Sequence, residues 1–278
     1  MPNSPRPPIV DATWLAQHGG DVVLADVRWY LDGRSGHGAY LERHLPGAVF
    51  VDLDVCLSAA PSRAAGRHPL PAPHDFARAM ESVGISDDTT VVAYDDDYGR
   101  TAARLVWLLR VTGHAASVLD GGMDAWPGPF VSGPEQRSRG AFSLDRWPSE
   151  RFATAGDIGP GSVLLDARAP ERYRGETEPV DARAGHIPGA RNAPTAANLD
   201  ERGRFKAPAA LRAEYEGHGV SFETSPIVYC GSGVTACHDL LALELAGFDR
   251  GRLYAGSWSQ WSADPTRPVA TGAGGDGG

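Results

Sequence analysis

Cysteine is scarce in this chain: three in 278 residues, too few and too odd in number to build a disulfide framework. A reducing cytoplasm is the expected setting. No apolar run approaches the roughly 18 residues that a membrane span needs. The opening Met1-Pro2-Asn3-Ser4-Pro5-Arg6 lacks the charged-then-apolar order of an export signal. Positive charge is in deficit, with 26 Lys+Arg against 35 Asp+Glu and a formal net charge of −9. The arginines are scattered. This balance excludes a nucleic-acid surface and a binder of acidic membranes. No Cys/His cluster has metal-ligand spacing, so no metal and no cofactor is expected.

Core material is plentiful. The chain is 42% hydrophobic and long enough for two ordinary domains. It is also written twice. Leu24-Ala25-Asp26-Val27-Arg28 is echoed by Leu164-Leu165-Asp166-Ala167-Arg168. His44-Leu45-Pro46-Gly47-Ala48 returns as His186-Ile187-Pro188-Gly189-Ala190. Val91-Val92-Ala93-Tyr94-Asp95 matches Pro226-Ile227-Val228-Tyr229-Cys230. Leu119-Asp120-Gly121-Gly122 through Trp126 matches Leu253-Tyr254-Ala255-Gly256 through Trp261. The four marks keep their order at offsets of 135 to 142 residues, which chance explains poorly.

Short β-like runs alternate with helical ones in each copy. Val22–Ala25, Thr90–Tyr94 and Ala116–Leu119 read as strands; His74–Met80 and Ala102–Leu109 read as helices. That alternation predicts an α/β fold with a parallel sheet flanked by helices in each copy. The expected boundaries are an N-terminal domain over 1–128, a Pro/Gly/Ser/Arg-rich linker over 129–148, a C-terminal domain over 149–270 and a disordered Gly-rich tail over 271–278.

The copies diverge after their matched strands. In the second, Pro226–Tyr229 is an apolar run followed by Cys230-Gly231-Ser232-Gly233-Val234-Thr235 and a helical stretch, Ala236–Leu245. Backbone N–H groups in such a loop and at the following helix start favour negative charge at one spot. A cysteine there is expected to carry reactive thiolate. The first copy has Asp95-Asp96-Asp97-Tyr98-Gly99-Arg100 instead. An acidic run repels anions and offers no soft nucleophile, so that copy should be catalytically silent.

The tandem copies, the two Pro-Gly-Ala turns and the cysteine loop resemble the two-domain rhodanese-type sulfurtransferases. The loop is most similar to their 3-mercaptopyruvate sulfurtransferase branch. The resemblance spans about Val10 to Pro268. It implies a persulfide on Cys230, a sulfur donor, and a thiol or cyanide as acceptor, with thioredoxin one such thiol. A monomer is expected to suffice. Gly231, Gly233, Val234 and Thr235 would cradle the sulfur through their amides.

Thiosulfate is a small dianion and calls for cations in the loop. Gly231 and Ser232 are neutral, which favours a donor with one carboxylate such as 3-mercaptopyruvate; thiosulfate:cyanide transfer is the alternative. The resemblance matches Arg168 and Arg174 to the substrate-binding arginines, suited to carboxylates by their forked donors. The competing reading for Arg168 is an ion pair with Asp166, and for Arg174 a solvated loop residue. The resemblance also pairs Ser232 with a histidine, matched by His68 with His74 as fallback, and with an aspartate, matched by Asp54. Such a set can move the protons that C–S cleavage demands.

His44 and His186 read as turn-stabilising, Cys56 and Cys237 as packing thiols, and Trp126, Trp258 and Trp261 as packing anchors. Three rival readings compete with this one. Gly231-Ser232-Gly233-Val234-Thr235-Ala236 fits a dinucleotide fingerprint, but too little chain follows it for the rest of such a domain. A cysteine phosphatase needs an arginine that the loop lacks. A non-catalytic sulfur-carrier module would keep Cys230 without turnover.

Overall fold

The structure, a computed structural model, describes residues 6–273. Residues 274–278 of the expected tail fall outside them. The chain divides into two compact units. The first comprises residues up to Ala59, Pro71–Pro148 and Arg202–Arg204; the second comprises Ala60–Leu70, Ser149–Glu201 and Phe205 onward.

In the first unit the strands are β1 (Ile9–Val10), β2 (Val22–Asp26), β3 (Val49–Phe50), β4 (Thr90–Tyr94) and β5 (Ala116–Leu119). They form one sheet in the order β1-β5-β4-β2-β3, with parallel pairing throughout. Every residue of β2 and β4 is buried. Strands covered on both faces read as near-continuous apolar runs, which is how they stand out in the sequence. The helices are α1 (Ala12–His18), α2 (Gly36–Glu42), α3 (Leu53–Cys56), α4 (Pro73–Ser82) and α5 (Ala102–Val111). Their starts follow from local chemistry. Asp11, Ser35 and Asp52 cap α1, α2 and α3 by accepting backbone amides, and a proline opens α4. All of Ala102–Leu109 in α5 is buried, because this helix is apolar on nearly every side.

The second unit repeats the plan. Its strands are β6 (Phe152–Ala153), β7 (Leu164–Asp166), β8 (Arg191–Asn192), β9 (Ile227–Tyr229) and β10 (Arg252–Tyr254), in the order β6-β10-β9-β7-β8 and again parallel. Its helices are α6 (Pro170–Tyr173), α7 (Pro208–Gly217), α8 (Ala236–Leu245) and α9 (Ser257–Ala263). Chain order and sheet order thus match strand for strand, as expected of duplicated α/β domains.

The repeat extends to side chains. Tyr40 donates its hydroxyl to the Ala48 carbonyl, and Tyr173 does the same to Ala190. His44 bonds through Nδ1 to the Tyr40 carbonyl and stacks on that ring at 4.1 Å; His186 does so on Tyr173 at 3.8 Å. Both histidines are buried and hold their Pro-Gly turns in place.

Two segments bear on where each unit begins and ends. Residues 129–148 pack on the first unit: Val131 bridges His44, Phe142 meets the ring of Phe76 edge-on, and Trp147 donates to the Pro71 carbonyl. Aromatic anchors inside a polar, Pro/Gly-rich stretch dock it. Conversely, Ala60–Leu70 belongs to the second unit. There the Arg67 amide donates to Ser259 Oγ at 3.1 Å, Arg63 reaches the Ala263 carbonyl, and Gln260 donates to the Ala64 carbonyl. These are long-range polar contacts without hydrophobic periodicity, so no sequence pattern announces them.

Candidate active site

Cys230 follows β9 directly and is 2% exposed. Two supports hold its backbone. Its amide donates to Ser257 Oγ at 3.2 Å, while its carbonyl accepts from the Trp258 amide at 3.0 Å. The Gly231 carbonyl accepts from the Ser259 amide at 2.9 Å. The start of α9 thus turns two loop carbonyls outward. The Gly233 amide turns inward and donates to Cys230 Sγ at 3.1 Å. This orientation requires glycine: Gly233 has φ +79°, and a Cβ there would lie 2.6 Å from the Ala255 carbonyl oxygen. Val234 is buried and Thr235 is half-buried at the entry to α8.

Ser257 escaped the sequence reading. It is fully buried with φ +50°, a left-handed conformation that costs an L-residue roughly 1–2 kcal/mol. Its hydroxyl donates to the Tyr254 carbonyl and accepts the Cys230 amide. The one available signal was its place just after Ala255-Gly256, the repeat of Gly121-Gly122.

The thiols differ. Burial pushes Cys56 up to about 11, as befits a packing residue. Cys237 is buried in α8 and donates weakly to the Gly233 carbonyl at 3.5 Å.

Ser232 and His68 come together: Oγ and Nδ1 are 2.8 Å apart, and both residues are buried. The fallback His74 is exposed at the start of α4, with Nε2 3.5 Å from Asp75. Asp54 lies in the first unit in the first turn of α3, exposed, and accepts a hydrogen bond from Trp29 Nε1 at 3.0 Å.

Arg168 and Arg174 are both held by acids. Arg168 is 4% exposed and fully engaged: it forks onto both oxygens of Asp166, donates to the Gly185 carbonyl and to Glu178, and lies over the Trp258 ring. Arg28 repeats the arrangement with Asp26 and the Arg43 carbonyl, so this is a duplicated brace at a strand end. Arg174 is tied to Glu176 at the surface. The guanidiniums near the loop belong to Arg67 and Arg172. A Cβ on Gly231 would lie 3.0 Å from Arg67 Nη2 and 3.6 Å from Arg172 Nη1. Arg172 stands two positions before Arg174, inside α6, whereas Arg174 caps its C-terminal end. Arg67 lies in the stretch without pattern.

Acids balance these cations. Arg67 pairs with Asp181, and Arg172 pairs with Glu178 at 2.6 Å. Burial raises the Asp181 carboxyl above the usual range against the pull of Arg67. Burial also works to raise Glu178, but Arg172 and two backbone amides outweigh it and hold that carboxyl low. Among the described residues, no group of three or more His, Cys, Asp or Glu is placed to hold a metal, and no helix is long and apolar enough to cross a membrane.

The sister loop shows what this turn accommodates. Asp95 is 1% exposed. Its Oδ1 accepts the amides of Asp97 and Gly99; its Oδ2 accepts the amides of Thr101 and Ala102 and the Thr101 hydroxyl, all at 2.7–2.9 Å. An anion therefore occupies the ring of amides in the first copy.

The rhodanese-like domain model matches residues 11–128 and 153–264. The chain belongs to the rhodanese-like family. Among its rhodanese-like relatives, a Mycobacterium tuberculosis protein with a provisional thiosulfate sulfurtransferase name is 45% identical, covering 93% of this chain and 94% of that protein. A Pseudomonas aeruginosa protein with a provisional 3-mercaptopyruvate sulfurtransferase name is also 45% identical, over 91% and 93%. Of solved rhodanese-like structures, the 3-mercaptopyruvate sulfurtransferase from Leishmania major superposes with a TM-score of 0.84 at 30% identity, covering 94% of this chain and 76% of that one. That from Escherichia coli gives 0.79 at 33%, over 91% and 99%.

Proposed function

We propose that this chain moves a sulfur atom from 3-mercaptopyruvate to a thiophilic acceptor through a persulfide on Cys230. Family and relatives make it a sulfurtransferase. The observation that carries the persulfide reading is the Gly233 amide aimed at Cys230 Sγ, in a turn whose sister copy holds a carboxylate. Amides so placed stabilise charge on sulfur before and after transfer.

In the first half-reaction the Cys230 thiolate attacks the donor sulfur. An S–S bond forms, the donor C–S bond breaks, and its electron pair leaves on carbon as the enolate of pyruvate. That carbon takes up the proton which the new persulfide releases. Ser232, hydrogen-bonded to His68, is the hydroxyl suited to carry it. In the second half-reaction cyanide or a thiolate, thioredoxin among the thiols, takes the outer sulfur and the Cys230 thiolate returns. The role of Asp54 behind His68 rests on the resemblance alone; a monomeric state and a cytoplasmic location rest on the paired domains and on the scarce cysteines.

A second reading, with thiosulfate as donor, draws on the Arg67 and Arg172 guanidiniums beside Gly231 and on the names of relatives such as the thiosulfate sulfurtransferase of Bos taurus, 36% identical over 96% of both chains. The test is intact mass after incubation with 3-mercaptopyruvate alone. One added sulfur should map to Cys230, persist in Cys237→Ser and vanish in Cys230→Ser. No added sulfur on wild type would overturn the reading. A higher kcat/KM for thiosulfate than for 3-mercaptopyruvate would instead favour the second donor.

A further inference from the structure

The stretch Ala60–Leu70 brings a cation to the cysteine loop from outside it. Arg67 is anchored by its amide on Ser259 Oγ, and the Ser259 amide in turn holds the Gly231 carbonyl. Its guanidinium lies between Asp181 and Gly231. One face reaches Asp181, and Nη2 hangs over Gly231, where any side chain would meet it. Arg67 also lines an open cavity of about 370 Å³ with Ser62, Val180, Asp181, Ser259 and Ser262.

Asp181 is only half-satisfied. One oxygen binds Arg67. Among the described residues the other has no hydrogen-bond partner, and Arg172 Nη2 stands 3.6 Å from it. Its side chain is 6% exposed against 28% for Arg67. The two guanidiniums over the loop are thus matched by two buried carboxylates, Asp181 and Glu178. A locally neutral cluster tolerates one entering negative charge better than two, since excess charge of one sign is costly where water is sparse.

We propose that Arg67 binds the anionic end of the sulfur donor and that Asp181, acting through Arg67, makes the site prefer a singly charged donor to a doubly charged one. Arg67 is a substrate-binding residue, and Asp181 is its positioning partner and charge counterweight. This inference rests on the sulfur-transfer reading and adds to it the source of donor selectivity.

Steady-state kinetics with 3-mercaptopyruvate and with thiosulfate test it. Arg67→Ala should raise KM for both donors at least tenfold with kcat within about threefold. Arg67→Lys, which keeps charge but loses the fork, should fall between. Asp181→Asn should raise the thiosulfate-to-mercaptopyruvate ratio of kcat/KM at least tenfold, and should no longer do so in an Arg67→Ala background. Unchanged KM in both Arg67 variants overturns the proposal. So does a ratio shift from Asp181→Asn that persists without Arg67. If wild type forms the Cys230 persulfide while these results fail, only this inference falls; if no persulfide forms, the sulfur-transfer reading falls first.

Discussion

His68 Nδ1 and Ser232 Oγ are 2.8 Å apart although 164 positions separate them in the chain. The bond is buried at both ends, and the backbone next to His68 is fixed to Ser259. A buried hydroxyl–imidazole pair of this kind contributes about 1 kcal/mol to stability. Its larger consequence is a hydroxyl held beside the sulfur loop with a base behind it.

If this pair moves the proton that the departing carbon needs, Ser232→Ala and His68→Asn should each lower kcat with 3-mercaptopyruvate by about 10²-fold or more, the usual worth of a positioned acid–base group. The double variant should cost little beyond either single one, because one relay is lost once. The check is single-turnover pyruvate release. Additive losses in the double variant would show that the two residues act separately.

Asp95 presents a second outcome. Its carboxylate satisfies four amides and a hydroxyl inside the first unit. Removing it strands buried donors, each costing about 1–3 kcal/mol. Asp95→Ala should therefore lower the unfolding free energy by about 3 kcal/mol. Sulfur transfer per folded molecule should stay within twofold of wild type. Denaturant melts and activity measured on the same samples decide it; a specific activity loss at full folding would contradict the silence of this copy.

A third concerns pH. Burial lowers His186 below the ordinary imidazole value, against the opposing bond to the Tyr173 carbonyl. The folded state thus binds this proton less readily than the unfolded one. Its contribution is fully present above about pH 6.5 and is lost as pH falls through that value toward the folded pKa. His186→Gln should flatten the decline of Tm between about pH 7 and pH 5. A decline as steep as in wild type would place the acid sensitivity elsewhere.

The duplication, the parallel sheets and the cysteine loop were legible in the sequence because each is a local signal. Apolar strands such as β2 and β4 read as continuous runs, α5 and α8 read as apolar helices, and Cys230-Gly231-Ser232-Gly233 is contiguous. His68 and Ser232 could be paired only through the resemblance. Arg168 stayed open in the sequence because an arginine next to an acid after a strand reads equally as a ligand or as a brace. The repeat Asp26-Val27-Arg28 was visible in the sequence, but only the structure shows that it forms the same ion pair, which favours the brace.

What the sequence determined by itself is therefore the set of elements, their repetition, and which copy carries a nucleophile. Hydrophobic period, turn chemistry and residue type encode these within a few positions. Only tertiary structure decided which guanidiniums lie beside Gly231 and which histidine reaches the serine. Those choices depend on where the unpatterned Ala60–Leu70 stretch docks, and it docks through polar contacts to residues nearly 200 positions away. Contacts of that range leave no trace in local propensity.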